Sequence, residues 1–257
     1  MLANYHTHTF RCGHAVGAEA EYASAAATAG LRILGFSDHT PYSFLDDVPR
    51  EFPIRMKSES LPEYARTVRA LAEAYRGTME IHVGVEAEYY PRYFPQLLEL
   101  LRENGIEYML LGQHFLDNEI GSPHCGRPTE DEALLDRYVS QVSEALETGL
   151  FTYLAHPDIF RFVGDAAVYE RHMRKLCRKA IETDTPLEIN LLGIREHRDY
   201  PNETFWRIAA EEGCPVILGC DAHRPEDVCD PASEKKALEL VERLGFKRIE
   251  TLPLRLL

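Results

Sequence analysis

The stretch "LANYHTHTFRCGHA" at residues 2–15 begins as a short β-rich run and continues into three histidines. Six later stretches also begin as apolar runs and end in polar or titratable residues: "RILGFSDH" (32–39), "EIHVGVE" (80–86), "YMLLGQH" (108–114), "TYLAH" (152–156), "PLEIN" (186–190) and "PVILGCDAH" (215–223). Helical patterns separate them, and several begin near Ser, Thr, Asp or Asn and end at Gly, as helix capping prefers. This alternation predicts a parallel sheet covered by helices.

The seven strand–helix units follow one another without a Pro/Gly/Ser-rich linker or a change in composition. A chain of 257 residues is long enough for one α/β barrel. We therefore predict an α/β, barrel-like fold and a single domain over residues 1–257. Two connections, 40–60 and 115–132, are longer than the others, which is typical of loops that contribute to a binding site.

The composition limits which binding partners and which cellular compartment are expected. The chain carries 42 Asp and Glu against 28 Lys and Arg, a formal charge of −14, so we expect neither nucleic acid nor a membrane surface as a partner. Six scattered cysteines without a CxxC pair indicate reduced thiols. No signal peptide and no run of about 18 apolar residues is visible, so a cytoplasmic location is expected. The oligomeric state stays open.

Histidines concentrate where the predicted strands end. Seven of the eleven histidines lie at such an end or in the loop after it, together with one glutamate and one aspartate. The carboxyl ends of barrel strands converge on one face, and the His-x-His and Asp-x-His spacings put both side chains on one side of a strand. We therefore predict nine metal ligands: His6, His8, His14, His39, Glu86, His114, His156, Asp221 and His223.

The mixture of imidazole and carboxylate groups suits transition metals better than Ca²⁺ or Mg²⁺. Nine donors exceed what one ion needs, so we expect two to three divalent metal ions (Zn, Mn or Fe). His82, within a strand, and His172, within a helix, are expected to be structural. His124 and His197 lie in loops near the site and are candidates to contact a substrate.

Several longer motifs carry a family resemblance: "HTHTFRCGHA" (6–15), "GFSDHTP" (35–41), "IRMKSESLPEYARTVRALAEAY" (54–75), "GVEAEYYP" (84–91), "GQHFL" (112–116), "AHPDIFRF" (155–162), "EINLLGIREHRDYPN" (188–202) and "GCDAH" (219–223). With them the chain resembles the PHP (polymerase and histidinol phosphatase) superfamily over essentially its full length. Within that superfamily it is most similar to the monofunctional histidinol-phosphatase branch.

The resemblance implies a distorted TIM-like (βα)7 barrel, the PHP fold, with three metal positions. These would be held by His6, His8, Glu86 and Asp221; by Glu86, His114 and His156; and by His14, His39 and His223. It also implies the reaction, hydrolysis of L-histidinol phosphate to L-histidinol and phosphate in histidine biosynthesis. Bound metal would reverse the acidic charge locally and activate a water for in-line attack on phosphorus.

Roles beyond the metal ligands are assigned from residue chemistry. Guanidinium matches phosphate oxygens, so Arg195 is the first candidate to bind the phosphate, followed by Arg161 and Arg55. Asp221, His223 or a metal-bound water are candidates to protonate the leaving group. Asp38 and Glu88 are candidates to orient imidazoles. The loop acids are candidates for the substrate ammonium: Asp46, Asp47, Asp117 and Glu119.

Three alternatives stay open. A PHP phosphoesterase acting on another phosphomonoester, such as a nucleotide, a sugar phosphate or phosphotyrosine, would have the same metal ligands and differ only in its loops. An exonuclease is disfavoured by the acidic charge. A non-catalytic metal-binding protein is disfavoured by the full ligand set.

Overall fold

The structure is a computed structural model that describes residues 1–48 and 54–257. Within those residues, eight parallel strands form one sheet in the order of the chain. They are β1 (Ala3–Asn4), β2 (Ile33–Phe36), β3 (Glu80–Ala87), β4 (Tyr108–Leu111), β5 (Phe151–Leu154), β6 (Leu187–Asn190), β7 (Val216–Gly219) and β8 (Arg248–Ile249). Part of the predicted long connection at 40–60, namely residues 49–53, lies outside the described residues.

Helices connect successive strands, as the alternating pattern predicts. They are α1 (Glu19–Ala29), α2 (Leu61–Ala74), α3 (Phe94–Glu103), α4 (Glu132–Glu147), α5 (Ala166–Glu182), α6 (Leu191–Arg195), α7 (Glu203–Glu212) and α8 (Pro231–Leu244). Asp131, Asp165 and Asn202 cap three of them by accepting backbone N–H groups of the first turn. None of the helices in the described ranges combines the length and the apolar character that a bilayer crossing requires.

The sheet curls until its first and seventh strands meet at one end. Thr7 pairs with Ala222 in a parallel bridge, where the His8 N–H donates to the Ala222 carbonyl at 2.9 Å and the Ala222 N–H donates to the His6 carbonyl at 3.3 Å. The expected distorted TIM-like barrel is thereby confirmed. The sequence analysis did not predict β8, which pairs with β7 at the opposite end through Val216 and Ile217.

Aromatic side chains fill the barrel beneath the strand ends. Tyr5, Tyr108 and Tyr153 are buried in the interior cluster, and Leu252 and Leu254 of the C-terminal segment pack against it. The Tyr108 hydroxyl donates to the backbone carbonyl of Tyr5 at 2.8 Å. Because this end of the barrel is packed, the space available to a ligand lies at the carboxyl ends of the strands.

Candidate metal centre

All nine predicted ligands lie together at the carboxyl ends of the strands, around a cavity of about 560 Å³. The cavity wall includes seven of them directly, and His6 and His8 stand just behind it in contact with Glu86 and Asp221. The donors come from loops after five different strands and from β3 itself. The topology of the parallel barrel therefore brings together residues separated by more than 200 positions in the chain.

The Glu86 carboxylate occupies the middle of the cluster and contacts five imidazoles. The distances from Oε2 are 3.4 Å to His6 Nε2, 3.3 Å to His8 Nε2 and 3.1 Å to His39 Nδ1, and those from Oε1 are 2.8 Å to His156 Nε2 and 3.6 Å to His114 Nε2. Each oxygen thus faces a different set of nitrogens. Such a carboxylate is arranged to bridge two cations.

A second carboxylate, Asp221, joins the cluster from the β7 side. Its Oδ1 lies 3.5 Å from His6 Nε2, 3.2 Å from His8 Nε2 and 3.4 Å from His223 Nδ1. On the outer side, His223 Nε2 lies 3.0 Å from His14 Nε2. Two donor groups are therefore adjacent, one around Glu86 and Asp221 and one nearer the opening.

The donor chemistry fits cations better than an internal hydrogen-bond network. His6 and His8 oppose each other through their Nε2 atoms at 3.1 Å, as do His14 and His223 at 3.0 Å. The Oδ1 atom of Asp221 is buried, yet it has no hydrogen-bond partner among the described residues. Nitrogens that face nitrogens, together with a buried carboxylate oxygen in the same space, are the arrangement expected of ligands to divalent transition metals.

The electrostatics of the cluster favour the ligand-competent forms of its acids. Burial raises the pKa of Glu86, but His39, His114 and His6 outweigh it and hold that pKa well below its ordinary value. The pKa of Asp221 is likewise held well below its ordinary value, against burial, by His6 and His8. Both carboxylates are therefore ionised at neutral pH.

The imidazoles divide into two groups by their pKa values. Burial and the charge on His8 lower the pKa of His223 to about 3 and also lower the pKa of His14. Burial similarly lowers the pKa of His39. For His8 burial acts in the same direction, but Asp221 and Glu86 outweigh it and raise the pKa to about 9. In the metal-free protein the first three imidazoles are neutral donors, whereas His8 holds a proton that a metal ion must displace.

Two of the predicted ligands have backbone conformations that L-residues rarely adopt. His156 has φ 28° and Asp221 has φ 46°. Left-handed conformations at non-glycine residues cost of the order of 1–3 kcal/mol and concentrate at functional sites. The chain turns sharply at both strand ends, and the turn directs the two side chains into the cluster.

Glu188 is a site residue that the sequence analysis missed. It is fully buried in β6, and its Oε1 accepts from His6 Nδ1 at 2.8 Å and from the Tyr153 hydroxyl at 3.2 Å. Its Oε2 accepts from the His156 N–H at 3.1 Å and from Asn190 Nδ2 at 2.9 Å. Glu188 accepts a hydrogen bond from His6 Nδ1 and so holds the proton of that imidazole on Nδ1. The other nitrogen, Nε2, is therefore left to bind a metal. The signal was a glutamate between Leu187 and Ile189, two apolar residues of the strand "LEIN".

Glu88 and Asp38 were both expected to orient imidazoles, but only one of them contacts a histidine side chain through a hydrogen bond. Glu88 does so, since its Oε1 accepts from His114 Nδ1 at 3.0 Å. Asp38 does not: its carboxylate accepts from the Thr9 N–H at 2.8 Å and from the Thr9 hydroxyl at 2.6 Å. Asp38 therefore fixes the backbone just after His8 rather than an imidazole ring.

The structure does not place Arg195 in the cavity, and the prediction that it binds phosphate is corrected. Its guanidinium contacts Asp227 at 3.3 Å and Asp230 at 3.1 Å, and it donates to the backbone carbonyls of Cys220 and Asp221, each at 3.3 Å. The physical reason is the one-turn helix α6, which directs the residue toward the loop after β7. Arg195 supports the backbone that carries Asp221.

The other two predicted arginines are also engaged elsewhere. Arg161 pairs with Asp199 at 3.2 Å, has a side chain that is 41% exposed, and is absent from the cavity wall. Arg55 reaches the wall, but its guanidinium binds Glu88 and Glu119. Arg161 therefore lies away from the cavity wall, and the guanidinium of Arg55 is held by two buried carboxylates.

Two arginines that the sequence analysis did not select line the cavity, Arg127 and Arg198. Arg198 Nη1 donates to the hydroxyl of Tyr200, which also lines the cavity, at 3.1 Å. His124 lies in the wall as expected, and burial together with His114 lowers its pKa to about 4, so it is neutral.

The remaining histidines and loop acids lie outside the cavity wall. His197 borders a separate surface depression, His82 pairs with Glu107 at 2.9 Å, and His172 pairs with Glu132 at 3.1 Å. Of the loop acids, Asp117 pairs with Arg137. Asp46, Asp47 and Glu119 are likewise absent from the wall.

Comparison with known proteins places these residues in a family. Residues 4–191 match the model of the PHP domain. A probable histidinol-phosphatase from Deinococcus radiodurans is 32% identical over 238 residues, which cover 88% of this chain and 88% of that protein. The histidinol-phosphatase of Bacillus subtilis is 25% identical over 255 residues, with 87% and 94% covered.

Solved structures share the fold. The histidinol phosphate phosphatase of Lactococcus lactis, in complex with zinc, L-histidinol and phosphate, superposes with a TM-score of 0.73 at 17% identity and covers 96% of this chain and 95% of that one. A histidinol phosphatase from Listeria monocytogenes, described as putative, gives a TM-score of 0.73 at 20% identity, with 90% and 99% covered. The match to the PHP domain spans most of the chain, and the chain belongs to the PHP domain family.

Proposed function

We propose that the protein is a metal-dependent phosphomonoesterase that hydrolyses L-histidinol phosphate to L-histidinol and phosphate, and that residues 1–257 act as one phosphoesterase domain. The observation that carries this proposal is the convergence of seven histidines and two carboxylates on one cavity around Glu86. The substrate is supported by the Deinococcus radiodurans relative, whose description is that of a probable histidinol-phosphatase.

The donor set supports two to three divalent ions, with Zn, Mn or Fe as the candidates. In this proposal His6, His8, Glu86 and Asp221 hold one ion; Glu86, His114 and His156 hold a second; and His14, His39 and His223 hold a third. His39 Nδ1 also approaches Glu86 Oε2 at 3.1 Å, so this imidazole borders more than one position. Bound ions would polarise the phosphoryl oxygens and lower the pKa of a coordinated water.

Arg198 and Arg127 are the proposed phosphate contacts from the protein. Both line the cavity with the ligands. Arg198 is positioned there by the Tyr200 hydroxyl and by Glu196, whose Oε2 lies 2.7 Å from Arg198 Nη2. A guanidinium there would stabilise charge on the non-bridging oxygens during transfer. Arg195 acts from behind the cavity wall instead, through the backbone of Asp221.

In this proposal Asp221 and His223 act as metal ligands, and neither of them donates the proton to the leaving group. The pKa of Asp221 is held well below its ordinary value by His6 and His8 against the effect of burial, and burial with His8 lowers that of His223 to about 3. Neither group carries a proton to donate at neutral pH, and cations beside them would lower both pKa values further.

Asp199 is the proposed partner of the substrate ammonium. The acidic residues of the cavity wall are Glu86, Glu88, Asp199 and Asp221. Three of these belong to the ligand cluster or to its hydrogen bonds. The fourth, Asp199, lies at the wall and pairs through Oδ2 with Arg161 Nε at 3.2 Å, so its other oxygen is the one proposed to meet the ammonium. A carboxylate at that place would select a phosphomonoester whose alcohol carries a positive charge.

A phosphate-release panel tests the proposal. The Mn²⁺- and Zn²⁺-loaded proteins are assayed with L-histidinol phosphate, p-nitrophenyl phosphate, phosphotyrosine, a nucleoside monophosphate and a sugar phosphate. We expect the highest kcat/KM for L-histidinol phosphate, and turnover no faster than that of p-nitrophenyl phosphate would remove the assignment. Asp199→Asn should raise KM for L-histidinol phosphate and leave p-nitrophenyl phosphate hydrolysis unchanged, since the latter has no ammonium group.

A second pair of variants separates the phosphate contacts. Arg198→Gln should lower kcat/KM for every substrate in the panel, because each presents the same phosphoryl group. Arg178→Gln is the matched control, since Arg178 pairs with Glu212 at 2.9 Å on the surface of α5, outside the cavity wall. Equal losses in the two variants would contradict the assignment of the phosphate contact to Arg198.

A further inference from the structure

A buried ion cluster lies beside the ligands. Arg55 Nη1 donates to Glu88 Oε2 at 2.5 Å, and Arg55 Nη2 donates to Glu88 Oε1 at 2.6 Å and to Glu119 Oε2 at 2.8 Å. The exposed fractions of these side chains are 7% for Arg55, 1% for Glu88 and 2% for Glu119. A single guanidinium therefore bridges two carboxylates away from water.

The cluster joins three separate segments of the barrel. Arg55 belongs to the long connection after β2, Glu88 follows β3, and Glu119 belongs to the long connection after β4. Tyr90 strengthens the junction, because its hydroxyl donates to Glu119 Oε2 at 2.5 Å, and the Arg55 guanidinium lies 5.6 Å from the centre of the Tyr42 ring. The two connections that border the cavity are thus held together at one point.

The same cluster reaches the proposed metal ligands through one hydrogen bond. Glu88 Oε1, which Arg55 Nη2 contacts, also accepts from His114 Nδ1 at 3.0 Å. The opposite nitrogen of that ring, Nε2, faces Glu86 Oε1 at 3.6 Å.

We propose that Arg55 is a positioning residue of the metal centre: it fixes the Glu88 carboxylate that orients His114, and Glu119 fixes Arg55 in turn. The contact between the two connections and the orientation of one ligand then both depend on the same guanidinium. A planar fork that engages both oxygens of Glu88 fixes the plane of that carboxylate, which a lysine ammonium would not do. This inference rests on the proposed function, since it treats His114 as a metal ligand.

The test uses Co²⁺ as a probe metal, because its visible spectrum reports ligand geometry without turnover. Arg55→Met leaves the buried Glu88 carboxylate without the guanidinium that engages both of its oxygens, so it should lower the melting temperature as well as the Co²⁺ affinity. The double variant Arg55→Met/Glu119→Gln also removes the negative charge of the second carboxylate that Arg55 contacts. We expect it to recover most of the melting temperature while its Co²⁺ affinity stays about 10–100-fold below that of the wild-type protein, with an altered spectrum.

Arg174→Met is the matched control. Arg174 also bridges carboxylates, contacting Glu170 at 2.6 Å, Glu211 at 2.7 Å and Glu212 at 2.7 Å, but it lies on α5 at the helical surface. Its Co²⁺ affinity and spectrum should equal those of the wild-type protein. A difference in Co²⁺ affinity between Arg55→Met and Arg174→Met then reflects the position of Arg55 beside the metal centre rather than the loss of an ion pair in general.

Recovery of both stability and wild-type Co²⁺ binding in the double variant would overturn the inference, because Arg55 would then be only structural. Wild-type affinity in Arg55→Met itself would also overturn it. The activity of the wild-type protein tests the proposed function separately. If that protein binds Co²⁺ but hydrolyses no phosphomonoester, the proposed function is contradicted while the role of Arg55 still stands.

Discussion

Replacing Glu188 with glutamine should weaken metal binding while the fold survives. The two Glu188 oxygens accept four hydrogen bonds, and the amide nitrogen of glutamine can only donate, so one oxygen position becomes unsuitable for its present partners. At the Oε2 position the nitrogen would face the backbone N–H of His156 and the amide of Asn190, both of which are donors. The nitrogen should therefore occupy the Oε1 position.

At the Oε1 position the amide nitrogen meets the Tyr153 hydroxyl, which can turn to accept, and His6 Nδ1. His6 then accepts at Nδ1 and carries its proton on Nε2, the nitrogen that faces Glu86 and Asp221. Forcing the other tautomer would set two donors against each other, which costs about 1–3 kcal/mol. That energy corresponds to a loss of metal affinity of about 10–100-fold.

The assay is a chelator competition for Zn²⁺ or Mn²⁺, with thermal unfolding measured on the same samples. Glu107→Gln is the matched control, because Glu107 also accepts from a histidine Nδ1, that of His82 at 2.9 Å, but at the opposite end of the barrel. We expect Glu107→Gln to keep wild-type metal affinity. A folded Glu188→Gln protein that binds metal as tightly as the wild-type protein would refute the assignment of the His6 tautomer to Glu188.

Three further predictions follow from the same geometry. Gly112→Ala should abolish tight metal binding in a folded protein, because a Cβ there would overlap Glu86 Oε1; unchanged metal content by elemental analysis would contradict this. In the metal-free protein the pKa of His8 is raised from 6.5 to about 9, so its proton stabilises the fold fully below pH 6.5 and that contribution is lost as the pH rises through 9. Metal affinity should accordingly rise with pH up to about 9, with proton release at pH 7 seen by calorimetry in two buffers of different ionisation enthalpy; no buffer dependence would count against it. Arg195→Ala should lower metal affinity through the backbone of Asp221 while KM for p-nitrophenyl phosphate stays unchanged at saturating metal, whereas a raised KM alone would restore Arg195 as a phosphate contact.

The main features of the fold could be predicted because the sequence repeats one local pattern. Each of the seven β-rich runs quoted from the sequence is a strand of the parallel sheet. The candidate metal donors at or just after these runs lie where the strand ends converge. The eighth strand could not be predicted in this way. Arg248 and Ile249 are only half-buried, and no apolar run marks them, so their strand conformation depends on pairing with β7.

The convergence of the nine candidate ligands could be predicted from sequence because strand-end position and residue type are both local. The supporting residues depend on directions that the sequence does not specify. Glu188 lies within a strand whose neighbours are buried and apolar, and only the curled sheet shows that it faces His6. Arg195 and Arg198 are three positions apart, yet the single turn of α6 directs the first behind the β7 loop and leaves the second at the cavity.

The central claim is that divalent ions bind among the nine donors at the strand ends, with the Glu86 carboxylate between them. Anomalous diffraction from crystals of the Zn²⁺- or Mn²⁺-loaded protein, collected on both sides of the metal edge, tests it directly. The prediction is two or three anomalous peaks in the cavity, with Glu86 oxygens and imidazole nitrogens at about 2.0–2.2 Å from the ions. Peaks confined to other parts of the surface, or a fully metal-loaded crystal whose Glu86 contacts no ion, would contradict it.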